Sequence, residues 1–373
     1  MSLRTVVLGI LLGWGLWVPP SPFAQSAPTS VVRGRVLDAE TNAPLPHTHV
    51  FNARSMIGTV TDSTGRFRLE GVPPGTKRLY VSHVGYEKKS IRVRAVPGRP
   101  QIVTARLASK VIQSPPVTVS ARRGEEWHER LDRFKQLFIG PSTLADQCTL
   151  RNPEVLRFEE KWWGKFEVRA QKPIVIENRA LGYRVRYFLK AFEKQGSLVR
   201  WDGEPLFEPL TPKDSTQAVR WRQRRREAYR GSPRHFLRAL IEDRLAAEQF
   251  ALYRLPRASA FRYPNRADRI PARRDDILAS GPDSTYRLDA HDRLEVIYRG
   301  ESESDAYLDW ANLRRAPRDH QTSQIDINDP PIHVDPSGEI VEPYGATFYQ
   351  YFAYTARIAK LLPREYEPPK QPP

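Results

Sequence analysis

Three consecutive residues, Gly231-Ser232-Pro233, constrain this chain more than any others. Glycine accepts the left-handed backbone that ends a helix and serine caps the next one. Proline fits a first helical turn, where its missing N–H is no loss. The spacing on either side agrees. Trp221, Arg225, Ala228 and Tyr229 share one face before the joint. After it, Phe236, Leu237, Leu240, Ile241, Leu245 and Phe250 recur at helical spacing as a stripe for burial. Val219 to Phe250 therefore reads as two helices sharing one joint. Their polar faces are dense in arginine: Arg220, Arg222, Arg224, Arg225, Arg226, Arg230, Arg234, Arg238 and Arg244. Guanidinium groups make long-range and bidentate contacts to phosphate or carboxylate. The stretch is read as a docking surface formed by Trp221, Arg222, Arg225, Arg226, Tyr229, Arg230, Arg234 and His235. Several of these arginines could instead pair internally with Glu227, Glu242, Asp243 and Glu248.

With 373 residues the chain is long enough for two or three domains with their own cores. Its formal net charge of +16 raises encounter rates with anionic partners without identifying them. A single cysteine, Cys148, excludes an intramolecular disulfide and a thiolate-rich metal site. That thiol, between Leu144 and Leu150, reads as a small core residue rather than a nucleophile. The N-terminus points to a compartment. Arg4 precedes the charge-free apolar run Val6 to Val18, Pro19 and Pro20 break it, and small residues follow near Ala24 and Ser26. That pattern predicts a secretory signal over residues 1–26, too short for a membrane span, which needs about 20 apolar residues. Export argues against nucleic acid as the partner. It leaves an anionic envelope component, an envelope protein, a saccharide, or peripheral contact with a membrane surface.

Between Val32 and Val96 the hydrophobic period is two, and turn signals separate the runs: Asp38 to Asn42, Asp62 to Gly65, Pro73 to Gly75, and Pro97-Gly98. Short, punctuated strands of this kind predict a small antiparallel β-sandwich. The residues also carry a likeness. Gly34 to Asp38 (GRVLD), Pro44 to Pro46 (PLP), Gly58 to Leu69 (GTVTDSTGRFRL), Val72 to Gly75 (VPPG) and Leu79 to Tyr86 (LYVSHVGY) follow one another in order. The segment resembles the carboxypeptidase-regulatory-like domain. That resemblance implies a transthyretin-like sandwich and a non-catalytic module of the kind found in bacterial envelope proteins. The zinc ligands of the carboxypeptidases themselves are missing, since no histidine has a glutamate three residues on. His47 and His49, two apart on a predicted strand, share a face and are weighed as metal ligands, but read as surface residues. No metal or other cofactor is expected, and no catalytic residue is assigned.

Ser114-Pro-Pro116 and Val117 to Ala121 resemble the segment that follows this module in TonB-dependent receptors. The remaining chain lacks the repeated alternation of a membrane barrel, so a receptor is not expected. From Glu125 the period becomes helical, with Leu131, Phe134, Leu137 and Phe138 on one face. Strands then return at Val155 to Phe158, Lys165 to Val168, Ile174 to Glu177 and Tyr183 to Phe192. In the last of these, Tyr183, Val185, Tyr187 and Leu189 alternate with Arg184, Arg186 and Lys190, so one face is buried and one is charged. Trp162, Trp163 and Trp201 are candidates for a saccharide-stacking platform as well as for ordinary packing. Asn152 to Phe158, Ile176 to Tyr187 and Trp221 to Leu240 resemble uncharacterised exported proteins of Gram-negative bacteria that carry the same N-terminal module. That likeness brings no activity with it.

Beyond Ala251 the chain is more polar. Tyr286 to Leu288, Leu294 to Tyr298, Ser323 to Ile327 and Ile332 to Val334 read as strands, and Phe348 to Leu362 as a docking helix. Asp326, Asn328 and Asp329 are weighed as calcium ligands and read as a solvated turn. The expected organisation is a sandwich over 30–107, a linker over 108–124, an α+β domain with the helix pair over 125–253, a β-rich region over 254–364 and a proline-rich tail over 365–373. The fold class is mainly β: an antiparallel sandwich, then an α+β body whose strands pack on the arginine-rich helices. The function expected is a non-enzymatic, exported binding protein, in the periplasm or at the outer membrane or cell surface. The competing expectation is an envelope hydrolase whose site is assembled from distant residues.

Overall fold

The computed structural model describes residues 29–110, 124–256 and 268–369. The signal segment, the Ser114–Ala121 motif and the last four residues of the tail lie outside them. The first unit is a sandwich of two sheets. One holds β1 (Ser30–Asp38) between β4 (Arg66–Val72) and β7 (Gln101–Leu107). The other runs β3 (Gly58–Val60), β2 (His49–Asn52), β5 (Gly75–Ser82), β6 (Lys89–Ala95). Pairing is antiparallel throughout except between β1 and β7, which are parallel. Alternation places Val32, Val36, Phe67, Leu69, Val81 and Val93 between the sheets. The Asp62 carboxylate closes the turn before β4 by accepting the backbone N–H groups of Thr64 and Arg66 at 2.8 and 2.9 Å.

The second unit opens with α1 (Glu125–Phe138) and continues as a six-stranded antiparallel sheet. Its strands are β8 (Cys148–Leu150), β9 (Leu156–Glu160), β10 (Phe166–Ala170), β11 (Ile174–Asn178), β12 (Tyr183–Gln195) and β13 (Leu198–Pro209). The long β12 organises the sheet: β13 flanks one edge along its length, while β11 and β10 share the other. Leu131, Phe134 and Phe138 of α1 lie on this sheet against Tyr187, Phe192 and Phe166. The helix pair follows as α2 (Ser215–Tyr229) and α3 (Pro233–Ile241). The joint is built as its residues dictate. Gly231 is left-handed at φ 63°, and a Cβ there would meet the Gln321 side chain at 2.5 Å. The Ser232 hydroxyl accepts the His235 N–H.

The second helix is shorter than its apolar stripe. It ends at Ile241; Asp243 takes a left-handed φ of 54°, and the Arg244 N–H reaches back to the Ala239 carbonyl at 2.8 Å. That is a Schellman stop made without glycine. Leu245 and Phe250 still join the core around Phe236 and Leu240, but from a turn and from the start of β14 (Phe250–Leu255).

In the third unit β15 (Ile270–Pro271) pairs with β14, and α4 (Arg274–Ile277) leads into β16 (Leu278–Ser280), β17 (Tyr286–Leu288) and β18 (Arg293–Tyr298). After α5 (Asp305–Trp310) come β19 (Gln321–Ile327), β20 (Ile332–Val334), β21 (Ala346–Gln350) and α6 (Tyr351–Thr355). The sheets are ordered β15-β14-β18-β19-β21 and β16-β17-β20, and α3 packs with Leu294, Val296 and Ile325. The docking helix expected over Phe348 to Leu362 is not present. Those residues form the end of β21, the five residues of α6 and a 3-10 turn at Ile358–Lys360. Their apolar side chains are spent inside the protein. Ile358, Ala359 and Leu362 complete the core under α1, and the Ala359 N–H donates to the Ile139 carbonyl.

Candidate functional site

Five of the eight residues predicted for docking hold the protein together. The Trp221 indole N–H donates to the Arg179 carbonyl at 2.8 Å, and Arg225 Nε donates to the Leu181 carbonyl at 2.7 Å. The Arg225 guanidinium also lies over the Tyr183 ring, 4.2 Å from its centroid. Both side chains grip the turn Asn178–Gly182 between β11 and β12. Tyr229 is buried against the His235 and Tyr366 rings.

Arg234 is buried too, and brackets the chain's C-terminal segment. Its guanidinium donates to the carbonyls of Ser337, Pro363, Arg364 and Tyr366, at 2.8–3.1 Å. It is a clamp, with no face to offer a ligand. His235 accepts the Gly231 N–H at Nδ1 (3.1 Å), which leaves the proton on Nε2, facing Glu248 at 3.3 Å. Burial lowers its pKa from the ordinary value, and Glu248 opposes that shift only in part.

Arg222, Arg226 and Arg230 remain. They recur every four residues: Arg222 and Arg226 lie one turn, about 6 Å, apart on α2, and Arg230 follows at its C-cap. Arg222 and Arg226 are exposed and Arg230 is half-buried, where its charge acts on Glu301. Among the described residues none of the three guanidinium groups has a hydrogen bond or an ion pair within 4 Å. Elsewhere in the same unit arginines are matched: Arg151 and Arg179 by Glu177, Arg184 and Arg186 by Glu208, Arg133 by Glu160.

The other candidates are resolved by their surroundings. The Cys148 thiol is half-buried, bonds the Leu144 carbonyl, and is pushed up to about 12 by desolvation, so it is a poor nucleophile. His47 and His49 do not share a strand face: His47 precedes β2 with a left-handed φ of 56°, and the His49 ring sits edge-on to Phe188. Asp326 is not available to calcium, because Arg293 Nε and Nη2 hold both its oxygens at 2.8 and 2.6 Å and the Tyr349 hydroxyl donates to one of them. No cluster of potential metal ligands occurs among the described residues. Trp201 stacks on Phe192 against the core, with the Arg357 guanidinium over its ring. Trp162 and Trp163 instead sit on the tip of the β9–β10 hairpin, 92% and 51% exposed. No helix among the described residues is long and apolar enough to cross a membrane.

One cavity escaped the sequence reading. It measures about 440 Å³ and opens between α5 and the corner where β21 turns into α6. Trp310, Leu313, Tyr307, Arg318 and Gln350 line it, together with the ion pair of buried Glu303 and half-buried Arg315. These residues come from separate segments with no motif linking them, and Gln350 looks like an ordinary strand residue until its backbone is seen. Its φ of 58° and ψ of −129° are strained for any residue but glycine.

Comparison with known proteins adds the following. No curated protein matches the chain. Among solved structures, 3-chlorocatechol 1,2-dioxygenase from Rhodococcus opacus 1CP aligns at 16% identity and a TM-score of 0.19, over 23% of this chain and 61% of its own. Catechol 1,2-dioxygenase from Acinetobacter sp. ADP1 aligns at 13% and 0.20, over 28% and 60%. The minor pilin GBS52 of Streptococcus agalactiae aligns at 18% and 0.19, over 25% and 49%. The chain thus spans less than two thirds of each, and likeness at this level carries no argument about function. The sandwich has a firmer match: residues 31–108 fit the family model described as the carboxypeptidase regulatory-like domain, and the chain carries such a domain ahead of its two further units.

Proposed function

We propose that this is an exported, non-enzymatic binding protein of the bacterial envelope, which docks an anionic partner along α2. The observation that supports it is the row Arg222, Arg226 and Arg230, three guanidinium groups without hydrogen-bond or ion-pair partners among the described residues, whereas Arg151, Arg184 and Arg133 of the same unit are matched by carboxylates. Three charges in a row, the first two about 6 Å apart, suit repeated phosphate or carboxylate groups, on a polymer or on a partner's surface. A net charge of +16 speeds the encounter. Export rests on the signal-like residues 1–26, and the N-terminal module suits a non-catalytic protein of the periplasm or outer surface.

The test is a pull-down from Gram-negative envelope extract at low and high salt. Wild type is compared with Arg222→Gln/Arg226→Gln/Arg230→Gln. Arg225 and Arg234 stay untouched because both are structural. Retention by wild type, at least tenfold loss in the variant and release by salt are the expected result. Equal retention by both would make the arginines a solvated face. If neither retains anything, the hydrolase alternative comes forward and small-molecule substrates are screened.

A further inference from the structure

We propose that the cavity between α5 and the β21–α6 corner binds an acidic saccharide unit such as a hexuronate. It is separate from the α2 row, and its test stands apart from that reading. Trp310 supplies the apolar surface. It is 40% exposed, lines the cavity, and packs at tilted angles on Tyr307 and Tyr354, whose ring centroids lie 6.1 and 5.5 Å away. A supported, half-exposed indole offers a flat face to the C–H side of a pyranose, and Leu313 extends that surface. The charge comes from Arg318. Arg315 is already committed, with both terminal nitrogens on the Glu303 carboxylate at 2.6 and 2.9 Å. The Arg318 backbone N–H adds to that pair, but its guanidinium has no partner among the described residues. Two arginines against one carboxylate leave a net positive site, open to a ligand carboxylate.

Gln350 is the third component. It occupies a strand-to-helix corner whose backbone geometry costs a non-glycine residue free energy, and strain of this kind gathers where a side chain is being aimed. Here the side chain lines the cavity, and its amide carries both a donor and an acceptor for sugar hydroxyls. An aromatic wall with a few convergent polar groups is the usual construction of a small-ligand site. A bare phosphate would leave the indole and Leu313 unused.

The full chain is titrated calorimetrically with a galacturonate trimer and with a galactose trimer. Binding of the acidic trimer, at least tenfold tighter than the neutral one, is expected. Trp310→Ala should weaken both by tenfold or more. Arg318→Gln should bring the acidic trimer down to the neutral one. Gln350→Gly should raise the melting temperature while weakening binding severalfold, an opposition that mere misfolding cannot produce. The triple α2 variant should bind the trimer as wild type does. Failure of wild type to bind either trimer overturns the proposal. So does an acidic preference that survives Arg318→Gln, or a Gln350→Gly protein that melts higher and binds unchanged.

Discussion

A histidine bonded on both ring nitrogens inside a ring of aromatics is a commitment to one protonation state. His235 touches Tyr229, Phe250 and Tyr298, accepts the Gly231 N–H and faces Glu248. Its folded pKa is depressed, chiefly by burial, below the ordinary 6.5. The unfolded chain therefore binds that proton more readily. Its contribution to stability is complete above about pH 6.5 and is lost as the pH falls toward the folded value. Thermal melts between pH 7.5 and 5 should show stability declining on the acid side. His235→Leu should lower the melting temperature at pH 7.5, since an unsatisfied Gly231 N–H costs about 1–3 kcal/mol. It should also flatten the acid decline. An equally steep decline in the variant would assign the pH dependence to other groups. Residue types were the part of the site most legible in advance. Arginine density marked the helix pair as unusual, but a guanidinium that binds carbonyls, as Arg225 and Arg234 do, cannot be told by sequence from one that faces water. That difference lies in contacts to Leu181 and Pro363, far away in the chain.

Elements are joined by such contacts, and the turn Asn178–Gly182 shows how. Gly182 has a φ of 71°, and a Cβ there would come within 2.3 Å of the Trp221 indole. The indole covers the glycine while donating to the Arg179 carbonyl, and Arg225 donates to the Leu181 and Gly182 carbonyls. Gly182→Ala should therefore displace α2 from the sheet as well as strain the turn, at a cost of about 2–4 kcal/mol. Trp221 fluorescence shifting to the red together with a lower melting temperature would show it; an unmoved spectrum would mean the helix docks without this socket. The helix stood out in the sequence through its aromatic face, yet nothing in it names the turn it covers. Element ends divide in the same way. Gly231 and Ser232 announce the joint, whereas the stop after Ile241 uses Asp243, which takes the left-handed backbone far less routinely than glycine. The stripe ran on to Phe250 because a strand residue happened to fall at helical spacing and enter the same core.

At the scale of the molecule the question is what makes three units one object. On β12, Tyr187 and Leu189 point into the body, and Phe188 points the other way, onto the face that Arg184, Arg186 and Lys190 mark as charged. An aromatic residue on that charged face is buried only where a partner covers it. The partner is the sandwich: Phe188 packs 4.7 Å from the Phe51 ring, with Tyr80 and Leu206 completing a buried cluster. Around it Glu204 takes Arg78 at 2.5 Å and Arg54 at 3.6 Å, and the Phe207 N–H donates to the Ser55 carbonyl. The C-terminal segment closes the arrangement. The Arg364 N–H donates to the Arg54 carbonyl, and Glu365 accepts the Met56 N–H. Tyr366 packs on Tyr229, so the proline-rich tail begins as a packed turn. With apolar area, ion pairs and backbone bonds all crossing the boundary, the sandwich and body should unfold together, as one calorimetric transition. Phe188→Asp places a charge inside the aromatic cluster while leaving both cores intact, a loss of several kcal/mol confined to the boundary. It should split the single transition into two, the sandwich separating from the body. A variant that still melts in one step at the wild-type temperature would show that the cluster does not couple the units, and the C-terminal segment held by Arg234 would then be the remaining connection to cut.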